Sequence, residues 1–142
     1  MSVIRHILDQ KGRQLWSAHP DDTVFDAIKR MSDKDVGSLV VLEDGKIVGL
    51  LTERLYAREV VLKGRASPQT RVGDIMERNV VCVRPDQTIE ECMAIMSNKR
   101  VRHLPVIDGG KLLGIVSIGD LVKSIISDKE FVISQLEHYI HG

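Results

Sequence analysis

The chain repeats itself at a fixed offset of 65 residues. PDDT at 20–23 returns as PDQT at 85–88, and the alignment continues without a gap over some 43 positions. A match of that length at one offset is typical of a duplicated supersecondary unit. We therefore predict five segments: an N-terminal segment 1–15, a first repeat 16–62, a linker 63–79, a second repeat 80–126 and a C-terminal helix 127–142.

Each repeat changes its hydrophobic period in the same order. After a short extended segment, a Thr at 23 or 88 precedes an apolar stripe at helical spacing, and two strand-like runs follow around an Asp-Gly turn. Thr52 and Ser117 then suit the N-cap of a second helix. The predicted fold is mixed α+β, with two pseudo-symmetric β-α-β-β-α repeats packed sheet to sheet, plus a C-terminal helix capped by Asp128.

Composition narrows the classes of partner. Twenty Lys and Arg residues balance 20 Asp and Glu residues, which disfavours binding to a nucleic-acid backbone. No segment is apolar enough to span a bilayer, and residues 1–15 lack the apolar stretch of a signal peptide. We therefore expect a cytoplasmic protein with no membrane partner. Cys82 and Cys92 lack CxxC spacing, and we expect both to be reduced.

The segment Ser117-Ile118-Gly119-Asp120 lies where a strand of the second repeat is predicted to lead into a helix. Ser117 and Asp120 project from the same helix end, beside backbone N–H groups that the helix leaves unpaired. A carboxylate there can accept from both hydroxyls of a ribose diol, and Ser117 with the amides suits a phosphate. A second interpretation stays open: the two residues also match a capping box that only stabilises the helix.

Three segments carry a resemblance to a known family. They are VGDIM at 72–76, VRHLPVID at 101–108 and GIVSIGD at 114–120. With them, the chain resembles a tandem pair of CBS domains, named from cystathionine beta-synthase and also called a Bateman module. The resemblance covers both repeats and the linker. It implies the CBS fold, a cleft between the repeats that binds AMP, ADP, ATP or related adenosyl compounds such as NAD, and assembly into homodimers.

The resemblance also implies residue roles. It places cationic phosphate contacts at Arg102 and His103, where the first repeat has Gly37 and Ser38. Surface Arg and His side chains are usually solvated, so the residues alone leave this role open. The predicted nucleotide-binding residues of the second repeat are Asp120, Ser117, Arg102, His103, Ile115, Val83 and Pro105.

The first repeat departs from the pattern at position 55. Leu55 aligns with Asp120, so the acceptor for the diol is missing there. We expect one competent site and one that is weakened or empty. The weaker second site is predicted to use Thr52, Arg54, Ser38 and Gly37.

Other side chains give weaker hypotheses. His138 and His141 have a spacing that can clamp a metal ion, but no further ligands accompany them, and we predict no metal site. Trp16 either lines an adenine pocket or packs under the sheet. Glu90 and Glu91 fall in the first turn of a helix, where negative charge is expected on electrostatic grounds.

The predicted function is regulatory. A bound adenine nucleotide changes the arrangement of the repeats, and an unidentified partner protein responds to that change. The alternative is a structural dimerisation module with a vestigial pocket, for which Leu55 is the best support. An enzyme is the third class, but no Ser/His/Asp order, Walker loop or HExxH motif appears, so we expect neither catalysis nor a catalytic cofactor.

Overall fold

The computed structural model of the protein describes residues 2–12 and 15–141. Its elements are α1 (Ile4–Lys11), β1 (Ser17–Ala18), α2 (Val24–Lys34), β2 (Ser38–Glu43), β3 (Lys46–Thr52), α3 (Glu53–Tyr56), a π-helical turn (Ala57–Val61), a 3₁₀ turn (Ser67–Gln69), α4 (Val72–Ile75), α5 (Ile89–Lys99), β4 (His103–Asp108), β5 (Lys111–Ser117) and α6 (Ile118–His141). The described residues form two compact units, one from 15–81 and one that joins 2–12 to 82–141. The predicted combination of helices, two sheets and a C-terminal helix is confirmed.

The unit of residues 15–81 contains the first repeat. Strand β2 pairs in parallel with β1 and antiparallel with β3. Thr23 is the N-cap of helix α2, as the sequence predicts, and its hydroxyl accepts a hydrogen bond from the Asp26 amide at 3.1 Å. It ends at Asp35, which adopts a left-handed conformation with φ of 54°. The apolar face of α2 packs against buried residues of β2 and β3, among them Leu39, Val41 and Leu51.

The predicted linker 63–79 contains regular secondary structure, namely the 3₁₀ turn and α4. Beyond the 3₁₀ turn, α4 buries Val72 and Ile75 in the core of the unit. Leu50 of β3 and Glu77 exchange two backbone hydrogen bonds of 2.9 Å. The linker therefore closes one edge of the sheet.

The unit of residues 2–12 and 82–141 contains the second repeat. Its strands β4 and β5 pair antiparallel, with a register irregularity at 106/107 that matches the one at 41/42 of the first repeat. The extended segment predicted at 80–83 is reduced to a single parallel bridge between Val83 and Val106. The same offset of 65 residues thus holds in three dimensions, down to the irregularity in the hairpin.

Helix α1 was not predicted. Ile4, Ile7 and Leu8 are buried on one of its faces. Its first turn is held by backbone hydrogen bonds from Ile4 to the Gln87 carbonyl at 2.9 Å and from Arg5 to the Pro85 carbonyl at 3.0 Å. Helix α1 is therefore an integral part of this unit.

Glycine makes room for α1 on strand β5. A Cβ atom placed on Gly114 would lie 2.9 Å from the Cδ2 atom of Leu8. At the matching position of the first repeat, a Cβ on Gly49 would lie 2.5 Å from the sulfur of Met76 in the linker. The two repeats use the same glycine to accept different covering segments.

The C-terminal helix differs from the prediction in where it begins. It is continuous from Ile118 to His141, so residue 127 lies inside α6, and Asp128 is not its cap. No Gly or Pro follows Gly119 within the helix to interrupt it. Asp128 instead accepts a hydrogen bond of 2.9 Å from the Ser2 hydroxyl.

Among residues 2–12 and 15–141, no helix combines the length and apolarity that crossing a bilayer requires. The two cysteines are not joined in a disulfide. Cys92 is buried in α5, and burial, aided by the nearby Glu91 charge, raises the pKa of its thiol to about 11.

Candidate functional site

The start of helix α6 has the geometry of a complete capping box. The Ser117 amide donates to Oδ2 of Asp120 at 2.9 Å, and the Asp120 amide donates to Oγ of Ser117 at 3.2 Å. These reciprocal bonds satisfy two polar groups at the helix end. The structural interpretation of the pair is therefore realised, and a ligand-binding role must be additional to it.

Lys11, from the last turn of α1, reaches this helix end. Its ammonium lies 2.8 Å from Oδ2 of Asp120 and donates to the backbone carbonyl of Ile115 at 3.0 Å. Lys11 is not among the predicted site residues, because α1 was not predicted. The available signal was the spacing of Ile4, Ile7 and Leu8, followed by Lys11 and Gly12 as the end of a short helix.

The Asp120 carboxyl is ionised at neutral pH. Burial alone raises its pKa, but the hydrogen bonds from Lys11 and from the Ser117 backbone outweigh burial and lower the pKa below its usual range. The side chain keeps 24% of its surface exposed. A charged acceptor is therefore accessible at the start of a helix.

The first residues of β4 lie beside this helix end. His103 pairs with Ser117 in the sheet register, and the Ile118 amide donates to the Arg102 carbonyl at 2.9 Å. Burial lowers the pKa of His103, with further lowering by Lys11 and Arg102 and an opposing effect of Asp120. His103 is thus neutral at pH 7, whereas the resemblance implied a cationic phosphate contact at this position. The exposed Arg102 keeps its positive charge.

Three further predicted residues form a row across the strands. The Val83 amide donates to the Pro105 carbonyl at 2.9 Å, and Pro105 lies opposite Ile115 in the register of β4 and β5. Val83 and Pro105 are buried, and Ile115 is half-buried. Of the predicted set, Ser117, Asp120, Arg102 and His103 meet at the start of α6, and the row of three lies further along the sheet.

The first repeat retains half of this arrangement. Thr52 accepts a hydrogen bond from the Leu55 amide at 3.1 Å, and the Glu53 amide donates to the Gly37 carbonyl at 3.2 Å. Ser38 is buried and lies opposite Thr52 in the register, and Arg54 is exposed. The backbone geometry is thus preserved, but Leu55 supplies no carboxylate.

Two cavities lie near these helix starts. The larger, of about 650 Å³, is in the first repeat and includes the predicted residue Gly37, but its polar lining holds two carboxylates, Asp35 and Glu53, and no cation. The smaller, of about 130 Å³, lies between α1 and α6 and is lined by Ile7, Gln10, Lys11, Asp120, Lys123, Ser124 and Ser127. The smaller cavity is the candidate ligand site, because Lys11 and Asp120 both line it.

The remaining predicted candidates are Trp16 and the two histidines near the end of α6. Trp16 packs against the core of the first repeat, and the Lys34 ammonium lies 4.3 Å from the centre of its ring, which favours the packing interpretation. His138 is exposed, and the side chain of His141 lies outside the described residues. In the part of the chain that the structure describes, no three His, Cys, Asp or Glu side chains are grouped to hold a metal ion.

Known proteins resemble the chain along most of its length. It is 37% identical over 151 residues to the CBS domain-containing protein CBSX3, mitochondrial, of Arabidopsis thaliana, an alignment that covers 99% of this chain and 73% of the relative. A solved protein with CBS domains from Burkholderia ambifaria MC40-6 is 49% identical with a TM-score of 0.86, over 89% of this chain and 96% of that one.

A more distant structure shares the fold alone. It is a CBS domain pair solved in complex with 5′-methylthioadenosine and S-adenosyl-L-methionine, at 22% identity and a TM-score of 0.79, over 90% of this chain and 98% of the other. The family model of the CBS domain matches residues 11–60 and 72–127. Two matched segments, a duplicated fold and close relatives along most of the sequence establish that this chain belongs to the CBS domain family.

Proposed function

We propose that the chain is a regulatory module that binds an adenosine derivative at the start of helix α6, with Asp120 as the acceptor for the ribose diol. The observation that carries this proposal is the ionised, partly exposed Asp120 carboxylate beside the Lys11 ammonium, 2.8 Å away. Arg102, at the entry to β4, adds positive charge to the same region. A sugar phosphate needs this combination of a charged acceptor and nearby cations.

The capping bonds leave the carboxylate with capacity for a ligand. Both the Ser117 amide and Lys11 use Oδ2 of Asp120. A carboxylate has about four acceptor positions over its two oxygens, so Oδ1 can accept a hydroxyl without breaking the capping box. Stabilising the helix and binding a diol are therefore compatible roles of one side chain.

The ligand class is an adenosine derivative: AMP, ADP, ATP, NAD or a related adenosyl compound. The CBS domain pair in complex with 5′-methylthioadenosine and S-adenosyl-L-methionine supports an adenosyl ligand for this fold. Besides Asp120, the predicted nucleotide-binding residues are Ser117, Arg102, His103, Ile115, Val83 and Pro105, with the phosphate expected at Ser117, Arg102 and His103. The weaker second site at Thr52, Arg54, Ser38 and Gly37 is expected to bind poorly because Leu55 has no acceptor.

A thermal-shift screen tests the function. Wild-type protein is heated with AMP, ADP, ATP, NAD or S-adenosylmethionine, and a ligand at one hundred times its Kd stabilises the folded state by about 2.7 kcal/mol. We expect at least one of these compounds to raise the melting temperature of the wild type. If Asp120→Asn binds about ten-fold more weakly, the same compound should stabilise that variant by only about 1.4 kcal/mol, roughly half the wild-type value. No shift with any of them at millimolar concentration contradicts the proposal.

A structural dimerisation module is the second candidate. It is favoured by one observation: Asp120 is already engaged by a complete capping box and by Lys11. This candidate predicts a stable dimer and no shift in the same screen. Ligand-dependent stabilisation that requires Asp120 decides against it.

We further propose that the module acts as a homodimer and signals to a partner protein. The last turns of α6 support an association surface, because large apolar side chains there are exposed: Phe131, Ile133, Leu136 and Ile140 are 55–72% exposed. Sedimentation analysis of the wild type and of Leu136→Lys tests the assembly. The cytoplasmic location expected from the sequence stays a prediction, since the Arabidopsis relative is named as mitochondrial.

A further inference from the structure

We propose that Lys11, which precedes the duplicated repeats, binds the anionic group of the ligand and thereby selects phosphorylated adenosine derivatives over adenosine itself. This inference rests on the proposed function, because it concerns the same site. It adds a specificity-determining residue from α1, a helix outside both repeats.

The position of Lys11 is fixed by the packing of α1 and by two hydrogen-bond acceptors. Helix α1 is held at its start by two backbone hydrogen bonds to the segment 85–87 and along its length by the buried side chains Ile7 and Leu8. The ammonium then bonds to Asp120 at 2.8 Å and to the Ile115 carbonyl at 3.0 Å. A cation held by its helix and by two acceptors loses little freedom when a ligand binds.

The ammonium keeps a donor for the ligand. Lysine has three N–H donors, and the bonds to Asp120 and Ile115 use two of them. The third donor belongs to the same ammonium that lies 2.8 Å from the ionised Asp120 carboxylate. A hydrogen-bond donor and a hydrogen-bond acceptor for the ligand are therefore adjacent. A ligand can therefore place a hydroxyl on Asp120 and an anionic oxygen on Lys11 without displacing the ion pair.

The local charge favours an anion over a neutral ligand. Lys11 and Lys123 both line the small cavity between α1 and α6, and Asp120 is the one carboxylate in that lining. Arg102 contributes electrostatically to the same region, as its effect on His103 shows. Two lysines against one carboxylate leave this cavity with a net positive charge, which a phosphate would neutralise.

Calorimetric titration with AMP and with adenosine tests the role of Lys11. Because a hydrogen bond to a charged group is worth about ten-fold or more in affinity, Lys11→Met should weaken AMP binding about ten-fold or more. Adenosine affinity should change less than about three-fold, so the preference for AMP collapses. Lys11→Arg keeps the charge and should retain AMP affinity to within about three-fold.

Controls separate this role from general effects of charge and stability. Lys63→Met removes a lysine from another exposed ion pair, with Glu59 in the first repeat, and should leave both affinities unchanged. Melting temperatures of all variants are compared, and Lys11→Gln is a second neutral variant should Lys11→Met fold poorly.

Three results overturn the inference. An equal loss of AMP and adenosine affinity in Lys11→Met would make Lys11 only a positioning residue for Asp120. Tighter binding of both ligands would make it a competitor of the ligand. If the wild-type protein binds neither AMP nor adenosine nor any compound of the screen, the proposed function fails and this inference fails with it.

Discussion

At the scale of single residues, the aligned positions 55 and 120 distinguish the two helix starts. Asp120 closes a capping box and meets Lys11, whereas Leu55, in the same backbone setting, only donates its amide to Thr52. The proposed acceptor for a diol is therefore present at one of these two helix starts, the start of α6, and absent from the other.

Leu55→Asp should restore the missing acceptor. The backbone of the first repeat already has the required geometry, with Thr52 as the cap and the Gly37 carbonyl bonded at 3.2 Å. We expect the binding stoichiometry of AMP to rise from one towards two per chain in calorimetry. Leu62→Asp, at a side chain that is 79% exposed, is the control. Unchanged stoichiometry would show that the second site has been misplaced.

His103 should make the protein sensitive to mild acid. Its pKa is lowered in the folded state by burial and by the charges of Lys11 and Arg102, so below about pH 6.5 the unfolded chain binds more protons than the folded one. Stability is therefore expected to fall as the pH drops from 7.5 to 5.5. Chemical denaturation at several pH values should show a smaller fall for His103→Asn. His138→Asn, on the exposed part of α6, should behave as the wild type, and equal falls in all three proteins would contradict the assignment.

At the scale of elements, predictions succeeded where the signal is local. Thr23 and Thr88 each mark a helix start, and in both cases the hydroxyl accepts a hydrogen bond of 3.1 Å from the amide three residues on. The Asp-Gly turns likewise predicted the two antiparallel hairpins, β2 with β3 and β4 with β5. These features depend on neighbouring residues and so can be predicted from the sequence.

Predictions failed where a distant part of the chain decides the structure. Helix α1 is short and gains stability by burying Ile4, Ile7 and Leu8 against segments some 80 or more residues away. Asp128 resembles a helix cap in sequence, yet its helix began ten residues earlier, at Ile118. The ion pair of Lys11 with Asp120 follows from α1 and was therefore missed with it.

The docking of α1 depends on Leu8. This side chain has no exposed surface and lies against Gly114, so Leu8→Ala leaves a cavity that should cost about 2–5 kcal/mol of unfolding free energy. Urea denaturation measures the loss. Leu62→Ala, at a side chain that is 79% exposed, should cost less than about 0.5 kcal/mol. Similar small losses in both variants would show that α1 is not an integral part of its unit.

At the scale of the whole molecule, duplication explains the fold of both units. Helices, strands and the hairpin irregularity recur at the same offset in the two units. The covering segments recur as well: the linker, with Met76, lies over Gly49 in one unit, and α1, with Leu8, lies over Gly114 in the other. Both are docked by matching backbone hydrogen bonds, from Val72 to the Asp22 carbonyl and from Ile4 to the Gln87 carbonyl. The two repeats were predictable from the sequence, and helix α1, which carries Lys11, was not.

The contribution of Asp120 to the binding of a ribose diol is the most direct test of the proposed function. Calorimetric titration of AMP into the wild type, Asp120→Asn and the control Asp128→Asn measures it. Asp128 lies on the same helix and accepts a hydrogen bond from Ser2, so its replacement tests the effect of losing any helix carboxylate. We predict saturable binding to the wild type and to Asp128→Asn, and a loss of about ten-fold or more in Asp120→Asn. Equal affinity for AMP in all three proteins would contradict the account.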